Sequence, residues 1–175
     1  MLKMVIDFHT HAFNDKIAEK AIAKLEVVSN QKAYSNGKID AIDEITKSGV
    51  IDKAVLLPVA TKPTQQTIIN DWAKEMGGKY ENIIPFGSVH PFAEDVFEEL
   101  QRIKEMGLYG VKLHPDYQEF FIDDEKVFKV YEKCAELSLP VIFHAGWDPL
   151  SPDLVHAPPK ASRKAHDAVP QMTMI

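Results

Sequence analysis

The chain has 175 residues, enough for one ordinary domain with a real core, and its 45% apolar and 26% charged residues are those of a globular protein. A formal net charge of -6, spread along the chain, argues against nucleic acid or an anionic membrane as the main partner, because both need a basic face. The single cysteine, Cys134, leaves no intramolecular disulfide to expect, and no signal peptide is expected in "MLKMVIDFHTHAF", where Asp7 and His9 interrupt a run already too short for one.

Short apolar runs alternate with longer amphipathic ones. "KMVIDFH" predicts a first strand, buried on both faces. "DKIAEKAIAKLEVV" follows with Ile17, Ala21, Ile22 and Leu25 at helical spacing. "DAIDEITKSG" predicts a short helix with Asp40 as N-cap and Gly49 just past its end. "KAVLLPVA" is a second strand, and "TQQTIINDWAKEMGG" a helix expected to stop at its double glycine. "NIIPFGSVHP" is a third strand. "EDVFEELQRIKEMG" is a helix expected to place Val96, Phe97, Leu100 and Ile103 on one face. "YGVKLHP" is a fourth strand, "DDEKVFKVYEKCAELS" a helix with acids in its first turn, and "LPVIFHAG" a fifth strand. Cys134 falls on an apolar helix position, which predicts a buried inert thiol and fits a cytoplasmic setting. Trp147 to Asp167 is expected to be a long functional loop, and "QMTMI" the start of a sixth strand. Alternation of this kind implies an α/β fold with a parallel sheet covered by helices. No apolar run approaches the length of a membrane span.

Five of the seven histidines, His9, His11, His90, His114 and His144, fall at or just past the C-terminal ends of the proposed strands. That end of a parallel sheet is where ligands bind. His9 and His11, two apart on a strand, aim two imidazoles the same way, which suits a divalent metal such as zinc or manganese. His144, at the end of a buried strand with Ala and Gly after it, is the best third ligand. Asp7 shares the face of His9 and is expected to accept a hydrogen bond from it or to join the ligands; the alternative is a carboxylate that bonds only to backbone. Lys112 and His114 share a face of strand four. A lysine in a buried strand needs an anion: a carboxylate, a substrate or the metal site. His90 and His114 each precede a proline. His156 and His166, among Pro, Lys and Arg, are expected in solvent.

"DFHTHAF", "GSVHP", "GVKLHPDYQEFFIDDEKVFKVYEKCAELSLPVIFHAG" and "WDP" together resemble the amidohydrolase superfamily, and within it the amidohydrolase-2 group of metal-dependent hydrolases and decarboxylases. The resemblance implies a (β/α)8 TIM barrel with the metal at its C-terminal mouth, on His9, His11 and His144. Some superfamily members carry a lysine carbamate on strand four, where Lys112 lies. A TIM barrel takes about 250 residues, so this chain is expected to hold the first five or six strands only. The family's later aspartate, a ligand and general base, has no counterpart here, so Asp7 or Asp148 would have to substitute.

The reading that follows is a metal-dependent hydrolase of a small-molecule amide- or ester-like bond, with metal-activated water as nucleophile. Asp7 and Lys112 are its catalytic candidates, and His90, His114, Tyr117 and Trp147 its substrate-binding ones. The alternatives are a decarboxylase of the same family, a PHP- or TatD-like phosphoesterase, and a non-catalytic fragment. A half barrel has open edges, so a second copy or another chain is expected to cover them.

Overall fold

The computed structural model describes residues 4–149 and 151–175. Strands and helices alternate from the start: β1 (Ile6–Thr10), α1 (Asp15–Ser29), α2 (Ile39–Lys47), β2 (Lys53–Leu56), α3 (Gln66–Lys79), β3 (Ile83–Pro85), α4 (Val96–Glu105), β4 (Val111–Leu113), α5 (Phe128–Glu136), β5 (Val141–Phe143) and α6 (Pro159–Ala168).

All strand pairs are parallel. β1, β2 and β3 are neighbours in chain order, and so are β4 and β5. The two groups join at Gly87, whose N–H donates to Gly110 O at 2.9 Å and whose carbonyl accepts from Lys112 N at 2.8 Å. The chain's last residues continue the series: Ile175 N donates to Val141 O at 2.9 Å, and Phe143 N to Ile175 O at 3.0 Å. Parallel strands laid side by side in sequence order, with helices between them, make a partial (β/α) barrel.

The largest core lies between β4, β5 and their helices, where Leu100, Ile103, Val111, Tyr131, Cys134 and Val141 are fully buried. Burial pushes the Cys134 thiol up to about 12, so it stays protonated and inert. On α4 the buried positions are Val96, Glu99, Leu100 and Ile103. Phe97, expected among them, is exposed, because one residue's step of about 100° carries it off the stripe.

Four further expectations are corrected. Lys38 occupies the N-cap position of α2; Asp40 sits inside the first turn, where its carboxylate accepts from the Tyr80 hydroxyl. Gly49 does take the left-handed conformation just past that helix, at φ 77°. The double glycine does not stop α3, which runs through it to Lys79. Gly77 is there for close approach: a Cβ on it would stand 2.3 Å from Pro85 Cγ of β3. The stretch from Trp147 to Asp167 is not loop throughout, since α6 occupies its second half, opened by the Pro-Pro pair at Pro158 and Pro159. Finally, β1 is not buried on both faces. Val5, Ile6 and Phe8 are exposed by 47%, 38% and 45%, because β1 bonds to β2 alone and no described strand covers its other edge. Among the described residues no helix is long and apolar enough to cross a membrane.

Candidate metal centre

A buried polar lattice fixes the strand ends that carry the histidines. Gln118, after β4, donates to Ala60 O and Val89 O, both at 2.8 Å, and accepts from His114 N at 2.8 Å. Ser88 donates to Lys112 O at 2.7 Å and accepts from Ala60 N at 3.1 Å. Asn70 of α3 grips Ser88 from both sides and is itself held by the buried carboxylate of Glu99 at 2.7 Å. Apart from the Glu99 carboxylate the partners are buried backbone groups in and just past the strands, so the lattice satisfies polar atoms that burial would otherwise strand.

At the end of β1, His9 and His11 bring their Nε2 atoms to 3.1 Å. Two nitrogens bound to one ion at about 2.1 Å stand about 3.0–3.4 Å apart. His11 Nδ1 lies 2.8 Å from Leu57 O, and a carbonyl only accepts, so Nδ1 holds the proton and Nε2 keeps its lone pair for a metal. Burial and then the Lys112 charge push His11 down to about 4; the same two causes, in that order, lower His9. Both rings are therefore neutral at pH 7, the form that ligates.

Lys112 is completely buried on β4, and its Nζ stands 3.4 Å from His9 Nε2. Burial alone pulls its pKa down to about 8. Asp7 does not reach the His9 ring nitrogen as expected. Its carboxylate turns back and accepts from His9 N at 3.0 Å, which shapes the strand end.

His144, just past β5, has a buried Nε2 without a hydrogen-bond partner among the described residues. Its ring stacks on His114 at 4.2 Å, and His114 stacks on Tyr117 at 3.7 Å. Asp148 Oδ2, buried, stands 3.7 Å from His144 Nε2 and 3.8 Å from His114 Nε2. Among the described residues these three side chains make the one trio of His, Cys, Asp or Glu ligand atoms lying within 4.8 Å of one another. His9, His11 and His144 do not make a second such trio. His114 belongs to the trio by distance only. Tyr117 N–H donates to its Nδ1 at 3.4 Å, which leaves the proton of the neutral ring on Nε2. Burial, with the His144 charge next, pushes His114 down to about 2, so the ring stays neutral and acts as a donor.

Of the other candidates, Trp147 lies exposed at the rim. His90 turns aside: its backbone N–H donates to Gln66, its Nδ1 accepts from Phe92 N at 3.3 Å, and its ring packs near Phe92. His156 is not solvated. It is buried, with Nδ1 2.8 Å from Asp116 Oδ1, and Ser151 donates to the same oxygen. These contacts tie the loop carrying Trp147 and Asp148 to the loop after β4. The sequence signal was there in "HPD" and "VHAPP", but the pairing spans 40 residues and only the fold brings it together.

The residues present fit a divalent ion: a pair of imidazole nitrogens at ligand spacing, a tautomer set by a carbonyl, and an orphaned buried nitrogen beside a carboxylate. Residues 6–173 match the family model Amidohydro_2, described as amidohydrolase. The chain belongs to the amidohydrolase-2 family. Membership favours this reading over the phosphoesterase ones, and together with the His–His–Asp cluster it supports a divalent metal. No curated protein matches. Solved structures of similar fold include IDCase of Metarhizium anisopliae in apo form, 16% identical with TM-score 0.70, over 99% of this chain and 64% of that one. A second is 5-carboxyvanillate decarboxylase of Novosphingobium aromaticivorans complexed with manganese and 4-hydroxy-3-methoxy-5-nitrobenzoic acid, 16% identical with TM-score 0.67, over 98% and 64%. A third is 2,6-dihydroxybenzoate decarboxylase with 2,6-dihydroxybenzoate, 14% identical with TM-score 0.65, over 99% and 65%. This amidohydrolase chain thus spans just under two thirds of the length of each.

Proposed function

We propose that this amidohydrolase-2 chain serves a metal-dependent decarboxylase acting on a small carboxylic acid. The observation that carries the reading is Lys112: a fully buried amine beside His9, lowered in pKa by its burial. Such a group is costly unless an anion meets it, and a substrate carboxylate entering the mouth supplies that anion. His9, His11 and His144 would hold the ion, manganese or zinc. When bound, it supplies a Lewis acid that draws charge from a substrate oxygen.

The chain's own residues account for the rest. Lys112, with its pKa at about 8, is mostly protonated at neutral pH yet gives up its proton readily. As the bond between the substrate carbon and its carboxyl group breaks, the electron pair stays on the carbon and carbon dioxide leaves. The Lys112 ammonium passes its proton to that carbon. His114 offers its Nε2–H to the substrate, and Tyr117 holds the ring in place by stacking. The names of the similar structures agree with this class of reaction.

Hydrolysis is the second reading, favoured by Asp148, a buried carboxylate within the cluster that can take a proton from water. The two separate in one assay. The metal-loaded chain is incubated with a panel of hydroxylated aryl and heteroaryl carboxylic acids and with matching amides and lactones. Decarboxylation predicts release of carbon dioxide from members of the first group. Products from the amides or lactones alone would overturn it in favour of hydrolysis.

A further inference from the structure

We infer that Asp148 is an anionic ligand of the metal centre, acting beside His144. The inference rests on the metal-centre reading above and extends it to a residue outside the three expected histidines.

Three observations support it. First, His144 Nε2 is buried with no hydrogen-bond partner among the described residues, a costly state that an ion relieves. Second, Asp148 Oδ2 lies 3.7 Å from that nitrogen, too far for a hydrogen bond. Two ligand atoms at about 2.1 Å from one ion, seen at about 120°, stand about 3.6 Å apart. Third, the carboxylate is held there. Asp148 O accepts from Ser151 N at 3.1 Å, while Ser151 and His156 both bond to the buried Asp116 carboxylate. The loop is therefore clamped just after Asp148, at Ser151 and again at His156.

His114 Nε2, at 3.8 Å, is likewise beyond hydrogen-bond reach of the carboxylate. It carries the proton, so it leaves the ion to His144. A neutral three-histidine site carries the full charge of a divalent ion; one carboxylate ligand lowers it and raises affinity for oxygen-preferring ions such as manganese.

The test is direct metal binding by the 175-residue chain, using Mn2+ for affinity and Co2+ for the absorption spectrum of the ligand field. Asp148→Asn should weaken Mn2+ binding by at least about tenfold, the lower end of what even outer partners of metal ligands contribute. At saturating Co2+ its visible bands should shift, because a ligand has been lost. Weaker binding with an unchanged Co2+ spectrum would make Asp148 a distant charge and overturn the inference, as would unchanged affinity. Should Asp148→Asn fail to fold, Asp148→Glu keeps the charge and moves the oxygen; a ligand role shifts the Co2+ bands there too, and an unshifted spectrum would count against it. His11→Ala separates the two levels. If it retains wild-type metal binding, the metal-centre reading itself fails; if it loses metal while Asp148→Asn behaves as wild type, only the Asp148 inference fails.

Discussion

Lys112 Nζ stands 3.4 Å from His9 Nε2 although 103 residues separate them in the chain. The contact joins β4 to β1 across the inside of the sheet, where neither strand bonds to the other. It sets a cation against a ring that must stay neutral to bind metal. The effect runs one way: the Lys112 charge is the second cause, after burial, of the lowered His9 pKa, whereas burial alone lowers that of Lys112.

Replacing Lys112 should therefore trade function for stability. Burial holds its folded pKa at about 8, against the ordinary 10.5 of a lysine in water. The unfolded chain binds this proton more tightly, so the native state loses stability as pH falls from 10.5 to 8 and the deficit persists below. Lys112→Met should raise the stability of the metal-free chain by roughly 1–3 kcal/mol at pH 7, one pKa unit being about 1.36 kcal/mol. Turnover should fall by about 10²–10⁴. Chemical denaturation and the carbon dioxide assay check the two halves; a less stable variant would contradict the buried-cation account.

The histidines make the metal-free chain acid-sensitive. His11 and His114 have folded pKa values of about 4 and about 2, below the ordinary 6.5. Between pH 6.5 and 4 the unfolded chain takes up protons that the native rings refuse, so stability falls as pH falls. His11 keeps an exposed side, so His114 carries the larger share. Thermal unfolding midpoints at pH 7.5 and 4.5 should differ less in His114→Asn than in wild type. Equal differences would contradict the assignment.

The tautomers assign different losses to neighbouring histidines. His11→Ala removes a lone pair aimed at the ion and should abolish metal retention. His114→Gln removes a donor and should leave metal content unchanged while lowering turnover. His166→Ala, on an exposed face of α6, should change neither. Metal analysis of the three purified variants checks this; loss of metal in His114→Gln would reverse its assigned role.

The buried pair of Asp116 and His156 should matter for stability. One carboxylate oxygen of Asp116 already lacks a partner among the described residues. His156→Ala would leave the other with only Ser151, at a cost of about 3 kcal/mol or more. Asp116→Asn should cost less, because no buried charge remains. Denaturant midpoints order the two variants; the reverse order would show that the pair is not ionic.

How far the sequence reveals all this depends on the range of the interaction. The parallel α/β architecture, the strand-end histidines and the His9–His11 convergence follow from local spacing, with periods of two and 3.6 residues. The buried Cys134 follows from helical spacing as well. What the spacing does not carry is which strand lies at an open edge, hence the exposed Val5, Ile6 and Phe8. Nor does it carry pairings across loops. His156 stands among polar residues and looks solvated until Asp116 meets it from the loop after β4. Asp7 differs again: it shares the face of His9, but the His9 backbone N–H two residues on is a nearer donor than the His9 ring, so the backbone-bonding alternative is the one realised.

The central claim is that His9, His11 and His144 hold one divalent ion, and anomalous diffraction from crystals of the chain soaked in Mn2+ tests it most directly. The account predicts a peak about 2.1–2.2 Å from Nε2 of His9 and His11, with His144 turned toward it and Asp148 alongside. A peak elsewhere, or His9 and His11 still in contact with no metal between them at saturating Mn2+, would contradict it.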